Sequence, residues 1–253
     1  MRLVVIGSGT LTPSATRGSS GYWLEAGPHR IGLDCGPGTV HGLARRGLPW
    51  ERLTHLFVSH FHMDHVGDLG ALLYALKDSR SGPRQEPFTL LGPAGLRSQV
   101  ELFSQIARED LLDQEFPAEL VELAPGTRLE LGGGVVLAVA KTPHNPESLA
   151  VRIDAGGRGF GFTGDTGPSA ELSDFFAGVD VLLSECSDLD PPHDPAHLAV
   201  TNVVDLATQA RARHLVATHS YFDPDEERLQ AQLAQRFNGP VSVAWDGLIV
   251  EIA

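Results

Sequence analysis

The sequence predicts an α/β protein with mixed β-sheets, and two patterns support this fold class. Short apolar runs with strand character alternate with turns and helical patterns along most of the chain, as is typical of α/β proteins. Several neighbouring strand segments, such as Tyr22–Glu25 and Arg30–Leu33, resemble hairpins, so the sheets should contain antiparallel as well as parallel pairs. We expect residues 1–253 to form a single domain, since no linker or internal repeat interrupts the pattern.

The individual elements follow from periodicity and turn residues. Helical spacing of apolar residues begins after His65, near Pro93 and at Val200. In the second of these helices we expect Leu102, Phe103 and Ile106 to be core or to wall a pocket. Asp246-Gly247 is a favoured two-residue turn, so we expect the last two strands to form a hairpin. The predicted strands are Leu3–Ile6, Tyr22–Glu25, Arg30–Leu33, Leu53–Val58, Phe88–Leu91, Val135–Ala140, Leu149–Ile153, Gly159–Phe162, Val179–Leu183, His214–Ala217, Val241–Trp245 and Leu248–Ile252.

Composition narrows the class of partner. The 19 basic and 32 acidic residues give a formal net charge of −13, which disfavours binding to long nucleic acids and favours small substrates. The two cysteines exclude a disulfide framework, and we expect a cytoplasmic protein. The first residues predict a strand rather than a signal peptide. No run approaches the roughly 18 apolar residues of a membrane span, so no membrane interaction is expected.

Metal-binding residue types are concentrated in the segment Ser59-His60-Phe61-His62-Met63-Asp64-His65. The segment follows an apolar strand and precedes a helix, which places His60, His62, Asp64 and His65 on a loop where their side chains can converge. Imidazole and carboxylate together suit zinc, manganese or iron better than calcium. The segment therefore predicts a metal site.

Three more candidate ligands, His144, Asp165 and His219, follow later predicted strands. One mononuclear zinc site needs three or four protein ligands, whereas seven candidates that include a carboxylate able to bridge fit two divalent ions. Two ions can activate a water and stabilise both oxygens of a displacement. The pattern leaves open that His144 is a turn residue and that Asp165 is an ordinary turn acid.

The His-x-His-x-Asp-His loop at His60–His65 resembles the hallmark of the metallo-β-lactamase fold superfamily. The resemblance implies a four-layer αβ/βα sandwich with two mixed β-sheets and the site at one edge of both. It also implies a role for each candidate ligand. One metal would be bound by His60, His62 and His144, the second by Asp64, His65 and His219, with Asp165 as the bridge.

Further segments resemble the tRNA 3′-processing endonuclease (RNase Z) branch, notably Ser184-Glu185-Cys186 and Ala196-His197-Leu198. This resemblance implies that His197 is a general acid oriented by Glu185. From the residues alone, two alternatives stay open: His197 packs at a helix N-terminus, and Glu185 satisfies nearby backbone donors. The branch inserts a long tRNA-gripping arm between the positions of His144 and Asp165, where this chain has only twenty residues. Met63 also replaces the usual glycine and would narrow the pocket.

The combined expectation is a binuclear metal-dependent hydrolase, a phosphodiesterase acting on small or cyclic phosphodiesters through a metal-bridging hydroxide. Asp64 would accept a proton from the water, and His197 would assist the leaving group. The alternatives are a lactone, thioester or amide hydrolase on the same metals, a tRNA 3′-processing endonuclease, and a non-catalytic binding module. Three questions stay open: which metal is bound, whether the protein forms a homodimer, and whether RNA is a substrate.

Overall fold

The computed structural model describes residues 1–78, 84, 86–221 and 226–253, and within these ranges the strands form two seven-stranded sheets. The strands of the first sheet are β1 (Arg2–Gly7), β2 (Gly21–Ala26), β3 (His29–Leu33), β4 (His55–Phe57), β5 (Phe88–Pro93), β6 (Ala118–Leu123) and β14 (Ile249–Glu251). Those of the second are β7 (Arg128–Gly132), β8 (Val135–Lys141), β9 (Leu149–Ala155), β10 (Arg158–Phe162), β11 (Val181–Glu185), β12 (His214–Thr218) and β13 (Val241–Val243). The helices are α1 (Thr39–Arg45), α2 (Met63–Val66), α3 (Leu69–Lys77), α4 (Leu96–Ala107), α5 (Ala170–Phe175), α6 (Val200–Gln209) and α7 (Glu226–Ala234).

Both sheets are mixed, which confirms the sequence prediction. The first has the order β14-β1-β2-β3-β4-β5-β6 and the second the order β13-β12-β11-β10-β9-β8-β7. In the first sheet, β14 to β3 pair antiparallel and β3 to β6 pair parallel. In the second, β7 to β10 pair antiparallel and β10 to β13 pair parallel.

The two sheets pack face to face, with helices outside each of them. Successive side chains of a strand point to opposite faces of the sheet. Leu24 therefore packs between the two sheets, whereas Trp23 packs on the outer face, in the cluster that contains Leu72 of α3. On the outside of the second sheet, Leu182 packs against α6 residues such as Val203. The result is the expected four-layer αβ/βα sandwich. None of the described helices is long and apolar enough to cross a membrane.

The predicted C-terminal hairpin is wrong. β13 pairs with β12 in the second sheet, whereas β14 pairs with β1 in the first, so the chain crosses between sheets at Asp246-Gly247. The Asp246 carboxylate accepts hydrogen bonds from the backbone N–H groups of Ser8 (2.9 Å) and Gly18 (2.7 Å). Ser8 directly follows β1, so these hydrogen bonds hold the turn beside the first sheet.

The expectation for α4 is also partly wrong. Leu102 and Ile106 are 53% and 80% exposed. The helix buries the stripe that begins with Leu96 and Val100, and Phe103 packs at its border. A helix rotates by about 100° per residue, which turns Leu102 and Ile106 to the opposite face. The strands β6 and β7 and the helices α1, α2, α5 and α7 were not predicted.

Candidate metal centre

The predicted ligands lie just after strands that end at one common edge of the sandwich. Asp64 and His65 are on the short helix α2 rather than on the expected loop, because the chain becomes helical directly after His62, and the other ligands are on loops. β3, β4 and β5 run parallel in the first sheet, and β10, β11 and β12 do so in the second, so the carboxyl ends of each set meet at one edge. His60 follows β4, His144 follows β8, Asp165 follows β10 and His219 follows β12. The topology thus brings ligands that are distant in sequence to a single place.

All seven predicted ligands come together in two groups. The first is His60, His62, His144 and Asp165, and the second is Asp64, His65 and His219, with potential ligand atoms within 4.8 Å of one another in each group. His62 Nδ1 lies 3.3 Å from His144 Nε2, and His65 Nε2 lies 3.2 Å from His219 Nε2. Two nitrogens bound about 2.0–2.1 Å from a tetrahedral ion lie roughly 3.3–3.4 Å apart. Both pairs therefore have the spacing that a shared ion requires.

The two carboxylate oxygens of Asp165 face different groups. Oδ1 lies 3.3 Å from Nε2 of His65 and 3.6 Å from Nε2 of His219. Oδ2 lies 3.7 Å from Nε2 of His60 and 3.8 Å from Nε2 of His144. This is the arrangement that a carboxylate bridging two ions needs.

The cluster fits divalent cations because it contains buried polar atoms without protein partners. Among the described residues, Nε2 of His60 and Oδ1 of Asp165 are buried and accept or donate no hydrogen bond. Leaving such a group unsatisfied costs about 1–3 kcal/mol, a cost that a bound cation removes. Burial lowers the pKa of His60 well below its usual value, and the neighbouring His65 lowers it further. The ring is therefore neutral, with a lone pair available to a metal.

The other ring nitrogen of each histidine contacts a partner outside the cluster. The contacts are His60 Nδ1 with Ser59 Oγ (3.1 Å), His62 Nε2 with the Asn145 side-chain amide (3.0 Å), His65 Nδ1 with Asp34 Oδ2 (2.6 Å), His144 Nδ1 with the Ala196 carbonyl (3.1 Å) and His219 Nδ1 with Ser187 Oγ (3.2 Å). The oxygen partners of His60, His65, His144 and His219 can accept a hydrogen bond from the ring and so fix its tautomer and orientation, whereas the Asn145 amide nitrogen orients the ring of His62 as a donor. The second nitrogen of each ring is thereby directed toward the cluster.

Asp34 braces the segment that carries the first four ligands. Its carboxylate accepts hydrogen bonds from Nδ1 of His65 and from the backbone N–H of Ser59, the latter at 2.8 Å. Asp34 itself adopts a positive φ of 57°, a strained conformation for a non-glycine residue. At Gly36, a Cβ would lie 1.9 Å from the carbonyl oxygen of Asp64. Only glycine lets this turn pack against the loop.

Glu185 and His197 form the expected pair beside the cluster. Nδ1 of His197 donates to Oε1 of Glu185 at 3.1 Å. Burial lowers the pKa of His197, but the hydrogen bond and charge of Glu185 outweigh this effect and raise the pKa to about 9. Glu185 is 1% exposed, and it also accepts from the backbone N–H groups of Thr166 (2.6 Å) and Leu198 (3.1 Å). Glu185 thus contacts His197 and satisfies backbone donors at the same time, and its role in orienting a general acid stays a prediction.

Sequence reasoning missed three neighbours of the site. Ser187 donates from Oγ to Oε2 of Glu185 at 2.5 Å, Asn145 contacts His62, and the ring of Tyr221 lies edge-on to His219 with 5.7 Å between centroids. The i, i+2 alternation of an extended chain is the signal that places Ser187 on the side of Glu185. Asn145 and Tyr221 carry no comparable sequence signal.

Met63, His29, His55 and His193 lie outside the cluster. Met63 is 56% exposed on the first turn of α2, so its side chain extends toward solvent. His29 and His55 contact each other, with 5.0 Å between ring centroids, and the side chain of His193 is 89% exposed.

The four-layer sandwich and the His/Asp cluster at its edge are those of a hydrolase that depends on divalent metal ions. The chain belongs to the β-lactamase superfamily, because the family model described as "Beta-lactamase superfamily domain" matches residues 29–220.

Individual relatives are similar over nearly the whole chain. A Ribonuclease Z of Mycolicibacterium gilvum is 28% identical over 273 residues, covering 97% of this chain and 94% of the relative. The metallo-β-lactamase fold protein YhfI from Bacillus subtilis superposes with a TM-score of 0.84 at 24% identity, covering 98% of both chains. The short form of human tRNase Z superposes with a TM-score of 0.81 at 23% identity, covering 100% of both chains. The two structural likenesses show the fold.

Proposed function

We propose that the protein is a phosphodiesterase that binds two divalent ions and hydrolyses small phosphodiesters. The observation that carries the proposal is the Glu185–His197 pair beside the metal cluster. The centroid of the His197 ring lies 4.9 Å from that of His144, close enough for one substrate to touch both a bound ion and His197. A site built for carbonyl hydrolysis has no general need of an acid at this position.

The two groups of side chains supply the ion sites. His60, His62 and His144 would bind one ion and Asp64, His65 and His219 the other, with Asp165 placed to bind both. We propose zinc, since five of the seven ligands are imidazoles, while manganese and iron accept the same donors. The ions supply Lewis-acid charge and a nucleophilic water at neutral pH.

The protein side chains carry out the proton transfers. The carboxylate of Asp64, whose Oδ2 lies 3.2 Å from Nε2 of His219, accepts a proton from the attacking water. A bond forms between phosphorus and the water oxygen, and the bond from phosphorus to the leaving oxygen breaks. His197 donates its Nε2 proton to that oxygen, which departs as an alcohol, while Glu185 holds Nδ1. The products are a phosphomonoester and the alcohol.

Small substrates are favoured over tRNA by two features. Residues 145–164 contain the β9–β10 hairpin, closed at Gly156-Gly157, in place of an extended arm. The net charge of −13 opposes a long polyanion. The names of relatives such as Ribonuclease Z support phosphodiester cleavage, and they make RNA the alternative substrate.

Three further expectations belong to the same proposal. Residues 1–253 act as a single domain, because the ligands come from loops of both sheets. A cytoplasmic location is consistent with the two buried free thiols, Cys35 and Cys186. A homodimer remains a prediction.

The test is an assay of metal-loaded protein on bis(p-nitrophenyl) phosphate, a cyclic nucleotide, a precursor tRNA and a panel of lactones. We expect turnover of the first two, loss of turnover in Asp165→Asn, and retention in the matched surface variant His41→Gln, which changes an exposed histidine of α1. Lactone hydrolysis without phosphodiester hydrolysis would refute the proposal. Cleavage of the precursor tRNA at a much higher kcat/KM than the small diesters would refute the substrate preference.

A further inference from the structure

A cavity of about 490 Å³ opens beside His197. Its lining residues are Asp188, Leu189, His193, Asp194, His197 and Tyr221. The ring of Tyr221 lies against the rings of both His197 and His219, with centroids 5.8 and 5.7 Å away. Tyr221 therefore connects the wall of this cavity to the metal centre, and a group bound to phosphorus can extend from the ions into the cavity.

The walls of this cavity combine apolar surface with negative charge. Leu189 and Tyr221 are 39% and 43% exposed and offer apolar and aromatic area. The Asp188 carboxylate accepts hydrogen bonds from the backbone N–H (2.7 Å) and Nδ1 (3.0 Å) of His193. Oδ1 of Asp194 accepts one from a backbone N–H. No lysine or arginine is among the described residues that line it. Its two histidines are each paired with a carboxylate, His193 with Asp188 and His197 with Glu185, so an anion entering the cavity meets the carboxylates of Asp188 and Asp194 and no unpaired cation among these residues.

The position of His197 decides which part of a substrate enters this cavity. If His197 protonates the leaving oxygen, as the proposed function states, that oxygen lies within hydrogen-bonding distance of the ring. The rest of the leaving alcohol then extends from the ring into the space that His197 lines. The part of the substrate that stays on phosphorus points elsewhere.

We propose that this cavity is the binding site for the leaving alcohol, and that it selects phosphodiesters whose leaving alcohol is uncharged and partly apolar or aromatic. A leaving group with an anion of its own is rejected by Asp188 and Asp194. This inference rests on the proposed function and specifies its substrate class. Like charges a few ångströms apart at a protein surface repel strongly enough to change kcat/KM by about tenfold or more.

The test uses size-matched methyl aryl phosphates whose leaving phenol carries a para-sulfonamide or a para-sulfonate. A third substrate has the neutral phenol but a 2-sulfoethyl group in place of methyl on the retained side. We expect the native protein at low salt to prefer the neutral over the anionic phenol by roughly tenfold in kcat/KM, after correction for the rates with hydroxide. Salt should reduce the preference because it screens exposed charges.

Variants distinguish the effect of the cavity carboxylates on the substrate preference from the effect of the protein's overall charge. Asp194→Asn retains the Oδ1 acceptor, and it should lower the preference, with a further fall in Asp188→Asn/Asp194→Asn. The matched control is Asp113→Asn, which removes one exposed acid between α4 and β6 and should leave the preference unchanged.

Each outcome is decisive. Equal rates for the neutral and anionic phenols in the native protein would overturn the inference. So would an equal loss of preference in Asp113→Asn, or an equal penalty from the sulfonate on the retained side. Absence of hydrolysis with every diester would instead overturn the proposed function, so the two failures are distinguishable.

Discussion

Replacement of His197 by glutamine tests the assignment of the acid most directly. Removing a positioned general acid typically lowers the rate by about 10²–10⁴-fold. The loss should be largest for diesters with an alkyl leaving group, whose alkoxide needs a proton. It should be much smaller for a p-nitrophenolate, which departs without one. The alkaline decline in rate expected from a protonated His197 should disappear in the variant.

The structure also explains why His197, rather than Glu185, is the residue to change. The Glu185 carboxylate accepts from His197, from Ser187 and from two backbone N–H groups. A glutamine has one acceptor oxygen, so Glu185→Gln turns an NH₂ group toward some of these donors. With two bonds to a charged group lost at about 1.5–3 kcal/mol each, the variant loses about 3–6 kcal/mol of stability. His197 is more accessible, with a side chain that is 12% exposed, and its loss leaves the backbone donors satisfied.

The assay therefore compares three quantities for the native protein and His197→Gln. These are kcat on an alkyl and an aryl diester, the free energy of unfolding in urea, and the metal content per chain. We expect a leaving-group-dependent loss of kcat with unchanged metal content and stability. An equal loss on both diesters would refute the acid role, and loss of metal would show that His197 supports the ion sites instead.

Three other predictions follow from the same structure. Chelation should abolish hydrolysis and lower the Tm, because it leaves Nε2 of His60 and Oδ1 of Asp165 unsatisfied. Metal at 100 times its Kd contributes about 2.7 kcal/mol to the free energy of unfolding. Elemental analysis should give two ions per chain. Asp34→Ala removes the partner of His65 and should weaken metal binding by about 10–100-fold, which a metal titration followed by calorimetry measures. Burial raises the pKa of Asp180, but a backbone N–H and two guanidinium groups outweigh this effect and lower it. Its stabilising contribution is therefore complete above the unfolded-state pKa of about 3.9 and is lost as the pH falls through the lower folded-state value. Asp180→Asn should flatten the acid side of a plot of Tm against pH, and an unchanged slope would contradict it.

The ligand positions were predictable because they are encoded locally. His60, His62, Asp64 and His65 lie within six consecutive residues, on the loop that leaves β4 and on the short helix α2 that follows it. The more distant ligands each follow a strand, and the carboxyl ends of parallel strands meet at one edge. Sequence periodicity and simple topology therefore determine which residues converge, although they give no distances.

The wrong predictions share one physical cause. The Asp246-Gly247 turn has a strong local preference for a hairpin, but Asp246 binds the backbone of Ser8 and Gly18 instead, and the strands on either side join different sheets. In α4, apolar residues occur on two faces, and the packing of α3 and β5 decides which face is buried. Both outcomes depend on partners far away in sequence.

The contacts of Ser187 show how such distant partners determine the chemistry of the site. A hydroxyl has one hydrogen, and its shortest contact is the 2.5 Å bond to Oε2 of Glu185, so Ser187 donates there. Toward Nδ1 of His219, 3.2 Å away, it must then accept, which requires that Nδ1 carries the proton. In the neutral ring, Nε2 of His219, which faces Asp64, then carries the lone pair that can bind a metal. The same carboxylate that orients His197 thus also sets the tautomer of a metal ligand, so the acid and the ion site are organised by one buried residue, Glu185.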